Sequence, residues 1–193
     1  MRFYPLALAI VAAIPSVSWA GEPMEPIAPG RSATKARDIG GFTLGASIRE
    51  VMKRPNVRHV QGELFEATAG GIAYQFGVCP SGRIYRIEST QPLGRFVVDK
   101  TFTDTIAAKL AAKFGAPTGG PDDNLSWELV EPVRYSDGEV HLFKTNWASA
   151  IVSGSGGEAV TLDVKMLDFR ICWADGVRAN RRQGDDAATK VAF

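Results

Sequence analysis

Two cysteines, Cys79 and Cys172, lie 93 residues apart with no other thiol in the chain. If they are bridged, a strand of the first half must lie beside the end of the second. No other sequence feature narrows the choice of folds as much. Closing a loop of that size restricts the unfolded chain by about 4–5 kcal/mol on a chain-entropy estimate, less any native strain. The alternative is a pair of buried free thiols, and the compartment decides between the two.

The N-terminus reads as an export signal. Arg2 supplies a positive start, Leu6 to Ile14 is an apolar run, and Ser18-Trp19-Ala20 offers small residues at −3 and −1 of a cut before Gly21. The run is well short of the roughly 20 apolar residues needed to span a bilayer, and Pro5 and Pro15 bracket it. An uncleaved anchor is the competing reading. No cysteine sits near the cut, which argues against a lipid anchor. The mature chain is therefore expected in the periplasm or secreted, with no membrane span after cleavage, and a disulfide becomes the default.

Loss of residues 1–20 removes one charge, Arg2, and takes the formal net charge from +1 to zero. Phosphate binding normally leaves a basic excess, so nucleic acid is not an expected partner. Residues 21–37, with Pro23, Pro26 and Pro29, read as a flexible leader. Residues 38–177 read as one domain, with halves near 38–97 and 98–177. Residues 178–193 mix Arg181-Arg182 with Asp185-Asp186 without periodicity and are expected to be disordered; a basic binding arm is the alternative.

Within the domain, a helix followed by strands is expected twice. Ser47 and Glu50 are spaced as a capping box for a helix over 47–54, which Pro55 ends. Leu64–Thr68, Ile72–Val78 and Ile84–Ser89 follow as strands, the second alternating cleanly. Thr101 and Asp104 then open a helix over 101–114 whose Phe102, Ile106, Leu110 and Phe114 form one stripe, and Gly115 and Pro117 end it. Strands are expected again over Leu125–Val130, Val140–Val152 and Ala159–Ile171. The last changes apolar parity near Met166–Leu167, as a β-bulge would. By the same alternation both cysteines fall on the outer faces of their strands. The expected class is α+β, with two helices packed on a mainly antiparallel sheet and a tandem of two similar α-β-β-β halves as one arrangement.

The segment Gly41-Phe42-Thr43-Leu44-Gly45-Ala46-Ser47-Ile48-Arg49-Glu50-Val51 resembles the opening of small exported bacterial domains similar to β-lactamase inhibitor protein and to SmpA-type outer-membrane assembly lipoproteins. Leu110-Ala111-Ala112-Lys113-Phe114-Gly115-Ala116-Pro117 resembles their recurrent helix ending. The resemblance covers about a quarter of the chain and implies helices on an antiparallel sheet used to bind another protein. The chain lacks the lipidation cysteine of the SmpA group, which argues against that group's assembly role.

Chemistry-bearing patterns are sparse. His59 sits among Lys53, Arg54 and Arg58 in an expected loop, and His141 lies in an expected strand. Neither joins a nucleophile in a recognisable arrangement. No zinc spacing occurs, Asp122-Asp123-Asn124 lacks the spaced ligands of a calcium loop, and no cofactor is implied. Trp127, Tyr135, Phe143, Trp147 and Trp173 gather toward the C-terminal strands, where aromatics serve either as core or as a binding surface. The expectation is a non-catalytic periplasmic or secreted protein that binds or inhibits another periplasmic or envelope protein. The alternatives are a hydrolase with an unrecognised site, perhaps around His141, and a carrier for a small apolar ligand.

Overall fold

The computed structural model describes residues 37–134, 140–154 and 157–173, with Asp175, Arg182 and Thr189. The signal segment, the leader to residue 36, and the tail from 178 apart from Arg182 and Thr189 lie outside the described residues.

A short hairpin comes first, β1 (Asp38–Ile39) and β2 (Phe42–Thr43), then a single helical turn, α1 (Ile48–Val51). Four strands follow: β3 (Val57–Gln61), β4 (Leu64–Ala69), β5 (Ile72–Val78) and β6 (Ile84–Arg95). After α2 (Lys100–Phe114) come β7 (Asn124–Arg134), β8 (Val140–Ser153) and β9 (Ala159–Leu167), and a 3-10 turn spans Phe169–Cys172. The seven longer strands form one sheet in the order β3-β4-β5-β6-β9-β8-β7, antiparallel at every pairing. The last strands of the two meanders, β6 and β9, lie side by side in its middle.

The expected α+β class is corrected. The chain is mostly β, and α2 is the one helix of more than a turn among the described residues. The first helix shrinks because Ser47 forms an isolated bridge with Arg83, while Ile48 N donates to Gly82 O. Ser47 makes no side-chain cap, and Glu50 pairs with Lys53 at 2.7 Å instead of reaching back. The sheet has taken the backbone that a capping box would need.

Alternation of apolar and polar residues gives the sheet two unlike faces. On the inner face, Phe65, Phe76, Ile87, Met166, Ala148 and Trp127 line up across six strands. The neighbouring row is Ala67, Tyr74, Ser89, Val164, Ala150 and Leu125. The β1–β2 hairpin covers one end of this face, with the Phe42 ring centroid 4.9 Å from that of Tyr74 and 4.8 Å from that of Phe76. Helix α2 covers the other end, with Phe114 against Trp127 and Trp147 at 5.3 and 5.6 Å. Asp99, not Thr101, caps α2: its carboxylate accepts from Phe102 N at 2.8 Å. At the far end Trp127 Nε1 donates to Gly115 O, fastening the helix end to the sheet.

The parity change expected as a bulge in the last strand is instead the strand's end. β9 stops at Leu167, and Asp168 caps the 3-10 turn by accepting from Arg170 N. Register shifts occur instead at Val60 between β3 and β4, at Tyr85 between β5 and β6, at Leu93 between β6 and β9, and at Trp147 between β7 and β8. Cys79, one residue past β5, and Cys172, in the 3-10 turn, are joined as a disulfide with Cα atoms 5.3 Å apart. Their expected outward position on strands is corrected, since Cys79 is buried and Cys172 is not on a strand. The bridge accords with an oxidising compartment. Among the described residues no helix is long and apolar enough to cross a membrane.

Candidate functional site

The hairpin and α2 both lie on the inner face, and among the described residues neither a helix nor a hairpin lies over the outer face, whose side chains are half-buried to exposed. Polar residues occupy it in register: Arg58, Glu66, Gln75, Glu88, Lys165, Ser149 and Ser126 form a single row across all seven strands. The row is internally bonded. Arg58 Nη2 meets Glu66 at 2.8 Å, Gln75 Nε2 donates to Glu66 Oε1 at 3.3 Å, and Lys165 Nζ meets Glu88 at 2.9 Å. Beside it, Thr90 Oγ1 donates to Asp163 at 2.6 Å. Opposite charges directly across a pair stabilise a sheet modestly, so the row orders these side chains before anything docks on them.

Two shallow hollows mark this face. One, of about 700 Å³, lies over β3–β5 and is lined by Asn56, Arg58, Glu66, Thr68, Ala73 and Gln75 among others. The second, of about 430 Å³, is bounded by the β3–β4 turn, Gly77, Tyr85 and Arg86. At its side the rings of Tyr85 and Phe169 stack, centroids 5.7 Å apart.

A separate charged cluster joins Arg37, the first of the described residues, to the end of the last strand. Asp168, itself buried, accepts from Arg170 Nε and Nη2, both at 2.8 Å, and from Arg37 Nη2 at 2.7 Å. Burial pushes the Asp168 carboxyl up, but the hydrogen bonds and charges of Arg170 and then Arg37 outweigh it and hold it below the ordinary carboxylate value. The cluster clasps the chain together. Its cations already face a carboxylate.

Trp127 and Trp147 are buried beneath α2, at 2% and 4% exposure, and belong to the core instead of a binding surface. Trp173 is half-buried just after the 3-10 turn, and Tyr135 lies outside the described residues. His59 is on β3, not in a loop; its Nε2 shares a 2.8 Å hydrogen bond with Gly62 O, and its ring lies on Phe65. His141 is on β8, with its side chain outside the described residues. Asp122 reaches Lys100 at 3.4 Å, and Asp123 O accepts from Val152 N, so this polar turn is tied to its neighbours. The apolar parity of each strand is plain from sequence, whereas the signal for this row lies in the opposite parity, at Glu66, Gln75, Glu88 and Lys165. Compared with known proteins, the chain matches no family model, no curated protein and no solved structure.

Proposed function

We propose that this chain is a non-catalytic binding protein of the periplasm or extracellular space that docks another envelope protein on the outer face of its sheet. One observation carries the reading: among the described residues no helix or hairpin covers the second sheet face, which presents an ordered polar row across all seven strands. A broad face with shallow hollows offers area and hydrogen-bond partners, which suits a protein surface. An apolar carrier would use an enclosed pocket lined by apolar groups. The resemblance to exported protein-binding domains points the same way, as do the disulfide and the signal-like N-terminus for location.

The test is capture from periplasmic extract on the immobilised mature chain, with Glu88→Lys and Lys165→Glu as outer-face variants. Lys109→Glu, on the exposed side of α2, serves as the control. A partner held by the parent and the control but released by both face variants supports the reading. Turnover of a substrate by the purified protein, with no partner retained, would overturn it in favour of an enzyme.

A further inference from the structure

The smaller hollow differs from the rest of the outer face in having an underused cation beside exposed aromatic surface. Gly77 makes the arrangement feasible. A Cβ there would stand 2.9 Å from Tyr85 Cζ, so only glycine lets the Tyr85 ring lie down on β5. Tyr85 is the unpaired residue at the β5–β6 register shift, and its carbonyl accepts from Asp168 N, which fixes its backbone. Phe169 stacks on it and is 57% exposed, far more than a ring of its size in the core.

Arg86 forms the adjoining wall. Its Nε is shielded from solvent and has no hydrogen-bond partner; Glu88 Oε1 is 3.8 Å away, beyond hydrogen-bond reach. That carboxylate is instead taken by Lys165 at 2.9 Å. One acid is thus shared between two cations, and the guanidinium is the loser. The Arg86 side chain is nonetheless 31% exposed, so a partner carboxylate can reach the rest of its guanidinium and form a charge-assisted bond there. Arginine and tyrosine together are also the residue types that dominate binding energy at interfaces.

Resting on the binding reading above, we infer that this hollow anchors the partner and takes a protein loop carrying Asp or Glu next to an apolar side chain. The carboxylate bonds Arg86, and the apolar group covers Tyr85 and Phe169. Glu63, at the exposed rim, repels that acid and restricts its approach to the Arg86 side.

The experiment selects disulfide-cyclised random heptapeptides displayed on phage against the full mature chain, followed by titration of the synthetic winners. The expected consensus contains an acid beside an aromatic or aliphatic residue. Arg86→Gln weakens such a peptide about tenfold, Phe169→Ala does likewise, Arg86→Lys retains part of the affinity, and Glu63→Gln strengthens binding. Thermal melts show that the variants remain folded, and the Arg86 Nε–H resonance shifts on binding. Peptides that need the outer face, by their loss with Glu88→Lys, yet carry no acid and ignore Arg86→Gln overturn this inference and leave the binding face standing. Failure to select any peptide on that face overturns both. Arg86-dependent binding to anionic phosphatidylglycerol vesicles without peptide binding also overturns it, because the anion would then be lipid.

Discussion

Gly40 and Asp168 each hold a position that no near relative in shape or charge can fill. Gly40 has φ +58°, and a Cβ there would stand 2.6 Å from Tyr74 Cζ, inside the ring that packs Phe42. Gly40→Ala should therefore cost about 2 kcal/mol from backbone strain, and more from the displaced ring, read as a lower midpoint in urea unfolding. Asp168 matters through charge. Asp168→Ala leaves Arg170, whose side chain is 9% exposed, facing no Asp168 carboxylate, and should destabilise by about 3 kcal/mol. The same carboxylate sets a pH response. Its folded value is lowered, so its stabilisation is complete above the ordinary carboxylate value of about 3.9 and fades as pH falls below it. Unfolding free energies measured from pH 6 down to pH 3 should fall more steeply for the parent than for Asp168→Asn, and parallel curves would refute the assignment.

The elements differ in how plainly their residues announce them. β5 was legible to the residue, because Ile72, Tyr74, Phe76 and Val78 alternate with smaller or polar groups and one face is buried. α2 was nearly so, since four apolar positions at helical spacing meet a glycine and a proline stop; only the cap was misplaced, with Asp99 used in preference to Thr101. Replacing Asp99 by alanine should cost about 1 kcal/mol, whereas Thr101→Ala should stay within a few tenths, as judged by thermal unfolding. β3 was missed because a two-residue turn and pairing to β4 create it, while its own residues are mostly exposed and charged or polar. α1 was overestimated for the opposite reason: local helix signals at Ser47 and Glu50 were sound, but tertiary pairing with Arg83 outweighed them. The candidate site was hardest to see. Its row exists only once six strand registers are fixed, and register is set by partners far along the chain.

Across the molecule, two meanders share one sheet through the β6–β9 pairing, which runs from Arg86↔Leu167 to Arg95↔Ala159. Met166, fully buried in that seam, touches the core of both, and Met166→Ala should cost about 3 kcal/mol and keep a single cooperative transition in calorimetry. Two unfolding steps would show that the meanders are separate units. Reduction of the Cys79–Cys172 bridge should lower the melting temperature through a loss of up to about 4 kcal/mol. The seam also orders events in time. A chain emerging N-terminus first on its way out of the cell completes β6 roughly 60 residues before β9 can pair with it. For that interval the middle of the final sheet is a bare edge of unpaired amides and carbonyls, the kind that recruits strands from other chains. Newborn molecules are thus most prone to aggregate at a place that the finished protein hides completely.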